Sequence, residues 1–369
     1  MTDPESAAAA VNDLADRFWD AILELNPTTA TFYGDDRFAH RLEDPGPAGR
    51  AAARDLMERT VTEAGAIDTT NLPTEDRITR DMLQVIAELS IEEDDQAIHE
   101  LRVVDQMSGP QQLLPTLTQF QAADTPERFE AFVERLYAYP AFMAANADLL
   151  RDGLASGLTA SRIVTERTIA QIERMLDVPI DAAIVPAMVR VATEEERERV
   201  RDIVRDVIYP ADRAFLDALR GDYLAAARED PGLWSAPNGE QLYRTAIRSR
   251  TTLELDPEAV HRSGLEELES IELERREISR AAGFGDDTAA YRAALDADPA
   301  NRPATKAELI DRAGADIERA MAAAPRYVSV LPRAGCDVRP VEEYKEKDAP
   351  FAYYYPPSPD GSRPGIYYA

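Results

Sequence analysis

Cysteine is nearly absent. Cys336 is the single one in 369 residues, so no internal disulfide can form, and a small, partly buried thiol is the expectation there. Lysine is almost as scarce: Lys306, Lys345 and Lys347 are the whole complement, and arginine supplies the rest of the 41 basic residues. Against them stand 69 acidic residues, a net charge of −28. Such a surface repels a phosphate backbone and excludes nucleic acid as a partner. An acidic, lysine-poor composition fits a halophile and a GC-rich genome equally well. The start, MTDPESAAAAVNDLADRFW, carries acids where a secretory signal needs a basic segment. No apolar run reaches the ~18 residues that a membrane span requires. A cytoplasmic protein with no membrane partner is expected.

Catalytic motifs are equally sparse. There is no G-x-S-x-G elbow, and the strand–helix alternation of a hydrolase sheet is missing. Gly283-Phe284-Gly285 is not a phosphate loop, because no strand precedes it and no GK[ST] follows. The three histidines, His40, His99 and His261, lie in separate segments, none in a metal-ligand motif. The chain itself is therefore expected to hold no catalytic zinc. Asp95 and His99, four apart, are placed to share a helix face, but two ligands make no metal site. Gly34-Asp35-Asp36 lacks the further oxygen ligands of a calcium loop and reads as a turn whose carboxylates cap or pair with Arg37. His261 reads as a capping or packing residue before a cleft contact.

What the chain does have is helical periodicity. Val11, Leu14, Ala15, Phe18, Trp19, Ile22 and Leu25 recur at threes and fours, which predicts an amphipathic helix over residues 4–25 that Asn26-Pro27 ends. TTATFYGDDRF then reads as a loop. Further helices are expected over 48–63, from Thr74 with Leu83, Ile86 and Leu89 inward, over 141–154, over 160–176, and from Thr305. Thr125-Pro126-Glu127 is a strong start, with Phe129, Phe132, Val133, Leu136 and Tyr137 buried behind it. Thr193 to Glu196 is a capping box opening a helix to about Arg228, with an interruption near Pro210. After Asp230-Pro231-Gly232 come helices over 240–250 and from Asp256-Pro257, the latter with Val260, Leu265, Leu268, Ile271 and Ile278 facing a core. Beyond Pro325 the character changes. Eight prolines fall between Pro325 and Pro364, and four short apolar runs, 327–331, 338–344, 351–355 and 366–368, read as strands. The expected architecture is mainly α, a multi-helix body with a small β element near the C-terminus. The expected regions are 1–232, 233–324 and 325–369.

The tail PPSPDGSRPGIYYA resembles the segment that, in the domain-of-unknown-function-885 family, precedes a His-Glu-x-x-Pro-Gly-His-His motif. Asn26-Pro27-Thr28-Thr29-Ala30 with Gly34-Asp35-Asp36-Arg37-Phe38 resembles the family's N-terminal signature, and GEQLYRTAIRSRTT (239–252) with DPEAVHRSG (256–264) its central one. That family resembles helical zinc peptidases of the gluzincin type. The resemblance implies a zinc-dependent hydrolase of peptides or small amides, of which this chain carries the N-terminal two-thirds without the metal motif. A chain ending mid-strand at Ala369 fits a fragment. On the same resemblance, residues 362–368 match a strand bordering the cleft, with Arg363, Gly365, Tyr367 and Tyr368 as substrate-binding candidates. Gly365 would allow close backbone approach, and Arg363 would hold a carboxylate. A strand that merely packs, in a non-enzymatic helical binding protein or degenerate relative, is the competing expectation.

Overall fold

In the computed structural model, residues 4–180, 193–341, 352–358, 361 and 363–369 are described. They fall into two compact units, Met1–Pro257 and Glu258–Ala369. The fold is mainly α-helical, and its one sheet, of three short strands, lies near the C-terminus.

The first unit begins with helices Pro4–Leu25, Pro47–Ala66 and Thr74–Asp95. Their apolar stripes meet in small clusters: Leu14 with Ala64 and Leu83, and Leu56 and Met57 with Ala87. Trp19 departs from the expected stripe. It is 42% exposed, with its ring edge-on to Tyr33 at 5.2 Å. The expected loop after Asn26 is also partly helical, because Pro27 does more than stop the first helix. It sits at the first turn of a new one, Pro27–Phe32, where its fixed φ and missing N–H cost nothing. Asp35 caps the short 3-10 turn that follows and receives the Arg37 guanidinium at 2.7 Å, as the turn chemistry implied. Asp95 and His99 do not share a face. Ala97 adopts a left-handed φ of 51° and ends the helix between them, and Asp95 pairs with Arg54.

Helix Pro126–Ser156 is the axis of the main core. Thr125 caps it by accepting from the Arg128 amide. Phe129, Phe132, Val133 and Leu136 are buried, whereas Tyr137 is 56% exposed. The separate helix expected after Pro140 is a continuation. Pro140 removes one backbone donor and crowds the preceding turn, but Leu136, Tyr139, Phe142 and Met143 are buried on both sides of it, and that packing holds the helix together. Against this axis lie helix Arg162–Asp177 and the run beginning at Glu194, whose Thr193–Glu196 capping box is formed in both directions. The expected interruption near Pro210 is a π-turn over Val204–Ile208, closed by the Tyr209 amide on the Val204 carbonyl. Pro210 has no N–H to offer the turn before it, and a widened turn absorbs the mismatch without ending the helix.

Arg135 projects from the axis into this core and is fully buried. Every donor of its guanidinium is used. Nε donates to the Arg41 carbonyl at 2.7 Å; Nη1 to Thr31 Oγ1 and Gln121 Oε1, both at 2.8 Å; Nη2 to the Pro27 and Phe38 carbonyls at 3.2 and 2.8 Å. Burial lowers its pKa to about 10, which leaves it charged at neutral pH. Nearby, Asp212 is 6% exposed and accepts from the Tyr139 hydroxyl at 2.7 Å. Burial raises its pKa to about 7, against the weaker pulls of that hydrogen bond and of Arg213.

The second unit carries helices Pro257–Ala281, Thr288–Ala297 and Lys306–Ala323. Val260, Leu265, Leu268, Ile271 and Ile278, expected to face a core, are instead 37–59% exposed. Tyr327–Leu331 forms no strand and is exposed. Its composition suits a strand, but it lacks a pairing partner among the described residues, and a strand exists only in pairing. β1 (Cys336–Arg339), β2 (Tyr353–Tyr355) and β3 (Gly365–Tyr368) form a sheet in the order β1-β3-β2. β3 runs parallel to β1 and antiparallel to β2, with Ile366 opposite Asp337 and Tyr355. Residues 342–344 and 351 of the expected strands lie outside the described residues.

Two measurements check this account. Arg135→Met leaves five acceptors without their donor and should lower the free energy of unfolding by roughly 3–5 kcal/mol. Arg135→Lys, with three donors on a compact head, should lose about half as much. Both are read by urea denaturation. For Asp212 the folded pKa lies above the ordinary 3.8, so the folded state binds the extra proton. Its contribution is full below about pH 4 and is lost as pH rises through about 7, up to roughly 4 kcal/mol. Asp212→Asn should therefore gain on the parent protein as pH rises from about 4 to 7, and parallel stability curves for the two proteins would refute the assignment.

Candidate functional site

The three family-like segments land in different surroundings. Residues 26–38 wrap the Arg135 guanidinium through the Pro27 and Phe38 carbonyls and Thr31 Oγ1. Helix Gly239–Thr251 lies against helix Thr74–Asp95 through a polar seam. Thr245 Oγ1 and Arg248 Nη1 each donate to Glu92 at 2.6 Å, Gln96 Nε2 donates to Thr245 Oγ1 at 2.6 Å, and Ser249 donates to Glu93 at 2.8 Å. Glu93 also receives Arg102, which holds its pKa below the ordinary carboxylate value despite burial. The carboxylates, hydroxyls and guanidiniums of the seam are committed to neighbours and align the two helices, while Gln96 Oε1 is buried there without a hydrogen-bond partner. His261, in the DPEAVHRSG segment, is exposed on its helix.

The tail is the remaining candidate, and its chemistry follows from the strand alternation. Ile366 and Tyr368 share one face of β3 and are 3% and 5% exposed. Tyr368 stacks on Tyr353 at 4.8 Å and 13° and meets Tyr355 edge-on at 5.7 Å. Gly365 and Tyr367 lie on the other face. A Cβ on Gly365 would come within 2.4 Å of the Tyr354 hydroxyl, so the close approach that Gly365 permits is that of the Tyr354 ring, which is 52% exposed. Arg363 enters β3 through a tight loop. Its amide donates to Ser358 Oγ at 2.9 Å, and its carbonyl accepts from the Ser358 amide at 3.0 Å. Ser362 lies outside the described residues. Burial lowers the pKa of Arg363, and the positive charge of Arg339 adds a smaller push in the same direction. Arg339 is itself bonded to Asp337 at 3.1 Å. The Cys336 thiol is half-buried, and burial raises its pKa, which suits an inert residue.

One geometric expectation changes. A strand bordering a cleft at 362–368 would offer a peptide its edge, but β3 is central, paired with β1 on one side and β2 on the other. A peptide cannot add to its edge. The less covered face is the one bearing Gly365 and Tyr367: Tyr354 lies over buried Gly365 and is itself exposed, and Tyr367 is half-buried. Sequence reading missed Arg135, Glu92 and Asp212. The one signal available was an arginine inside the apolar stripe Phe132, Leu136, Tyr139.

The fold and the tail together define a mainly helical protein closed by a small aromatic sheet. The chain belongs to the family of bacterial proteins of unknown function designated DUF885, whose pattern matches residues 27–369. No curated protein matches the sequence. The crystal structure of a protein from Colwellia psychrerythraea, described provisionally as a lipoprotein, shares the fold with a TM-score of 0.82 at 22% identity, over 97% of this chain and 67% of that one. A second, from Shewanella oneidensis, also described provisionally as a lipoprotein and of unknown function, matches with a TM-score of 0.62 at 14% identity, over 97% of this chain and 64% of its own. The chain thus spans about two thirds of the length of these solved structures.

The two faces of β3 should respond differently to truncation. Tyr368→Ala removes the ring on which Tyr353 stacks and should destabilise the sheet by roughly 3–5 kcal/mol. Tyr367→Ala, on the less covered face, should cost less than about 1.5 kcal/mol. Near-UV circular dichroism of the tyrosines during denaturation reports both, and equal losses would mean that the faces are equally packed.

Proposed function

We propose that this chain is the N-terminal part of a metallopeptidase-like hydrolase acting on peptides or related amides, inactive as these 369 residues alone. Arg363, Gly365, Tyr367 and Tyr368 border the substrate cleft. The observation that carries the reading is the exposed Tyr354 ring lying over Gly365 beside half-buried Tyr367, with Arg363 at the entry to the same strand, in a chain of net charge −28. A peptide carboxylate is what the Arg363 guanidinium would attract. Tyr367 and Tyr354 would flank the bound chain, Gly365 keeps the Tyr354 ring close to the strand, and Tyr368 holds the sheet from beneath. Membership in the matched family and the greater length of the solved neighbours support the fragment reading.

Zinc does not fit the described residues. No group of three or more His, Cys, Asp or Glu side chains among them is placed to hold a metal, so the ligands that this reading needs would lie elsewhere, and no catalytic step is assigned here. The second reading, a non-enzymatic binding protein, is favoured by the polar seam around Glu92, whose carboxylates are taken up by Thr245, Arg248, Ser249 and Arg102. No described helix is long and apolar enough to cross a membrane. A cytoplasmic location is part of the proposal, and the lipoprotein descriptions of the solved neighbours argue for the cell envelope instead; cell fractionation separates the two.

The test is peptide cleavage by this chain and by a longer one continued past Ala369, each with added zinc and with chelator. The longer form should cleave small peptides in a chelator-sensitive way. Arg363→Ala should raise its KM by about tenfold, the value of one charge-assisted contact, with kcat little changed. Cleavage unaffected by chelator, or an inert longer form, would sink the reading.

A further inference from the structure

Helix Pro257–Ala281 carries an apolar surface that nothing described buries. Val260, Leu268, Ile271 and Ile278 recur at helical spacing along one side, with Leu265 flanking, and all are between 37% and 59% exposed. Single exposed leucines need no explanation, but five apolar residues along one side of a helix form the kind of contiguous patch that marks an interface. The regularity is that of a core-facing stripe. We infer that this stripe is a docking face for further polypeptide of the same protein, the part by which the solved neighbours exceed the matched length. Those neighbours cover 97% of this chain, yet this chain covers only 67% and 64% of them. About a third of each neighbour's own length therefore lies outside the match. A second copy fits less well. The helix holds seven glutamates against four arginines, in a chain of net charge −28, so two such helices brought together repel.

The inference shares with the proposed function the idea of a longer chain, and it needs no catalysis. Its probe is thiol alkylation of Leu268→Cys in a Cys336→Ser background, in this 369-residue chain and in the chain continued past Ala369 as its gene encodes it. Arg292→Cys, at an exposed arginine on another helix, is the control. The continued chain should protect Leu268→Cys at least about tenfold, as burial at a stable interface does, with the control unchanged. If the variant fails to fold, amide hydrogen exchange across Pro257–Ala281 in the unmodified chains gives the same readout. Equal rates in the two lengths, a gene that stops at Ala369, or protection of the 369-residue chain that grows with its concentration would each overturn the proposal, the last by naming a second copy. A continued chain that protects the face but cleaves no peptide removes only the hydrolase reading. One that cleaves while the face stays reactive removes only this inference.

Discussion

A buried guanidinium is stable only when all its donors are met, and that constraint organises the first unit. Arg135 reaches acceptors on two separated stretches: Pro27, Thr31, Phe38 and Arg41 in the entry segment, and Gln121 before the long helix. Three of the five acceptors are backbone carbonyls of this segment, whose local bonds, such as the Arg41 amide on the Phe38 carbonyl and Thr31 Oγ1 on the Pro27 carbonyl, leave capacity for a second donor. Without Arg135 that capacity, and the side-chain acceptors Thr31 Oγ1 and Gln121 Oε1, would lose a buried charged donor. The entry segment is therefore shaped around a side chain about a hundred residues further on. Burial also raises the pKa of Glu43 there, against the opposing pull of Arg135.

Asp212 solves the same problem in the opposite way. Arg135 keeps its charge because five acceptors stand in for water. Asp212 accepts from the Tyr139 hydroxyl and feels a weaker attraction to Arg213, and burial outweighs both. A carboxyl so placed holds its proton up to about pH 7 and so avoids most of the cost of a buried charge. The difference lies in the number of donors or acceptors within reach, and in the planar fork that lets arginine use five at once.

Much of this fold was legible because helix ends are local chemistry. Thr125 with Pro126, Thr193 with Glu196, and Thr305 with Glu308 each satisfy their own amides within a few residues. What the sequence concealed depends on contacts distant along the chain. Pro140 reads as a helix stop, and it is the packing of Tyr139, Phe142 and Met143 that overrides it. Ala97 reads as mid-helix, yet takes a left-handed conformation that no side-chain rule favours in an alanine. Tyr327–Leu331 has strand composition and no strand. For the tail, the existence of β3 and the opposite faces of Tyr367 and Tyr368 were readable from alternation, whereas its central position was not. Strand order is fixed by which segments return to pair, and β1 and β2 are separated from β3 by stretches without periodic signal.

The family-like segments bear on how far a resemblance can carry chemistry. Residues 26–38 hold Arg135, and residues 239–252 build the Glu92 seam; each is explained by the structure it maintains. Motifs of that kind transmit a fold, and a fold hosts many activities. The solved neighbours, at 22% and 14% identity, extend the same lesson. Any transfer of function must therefore rest on groups that the scaffold leaves uncommitted. Among the described residues the tail comes nearest to that condition: Tyr354 is exposed over Gly365, beside half-buried Tyr367. An aromatic ring left in solvent by a strand that packs its other face is an arrangement that folding alone does not require, which is the physical reason to place the search for substrate contacts there.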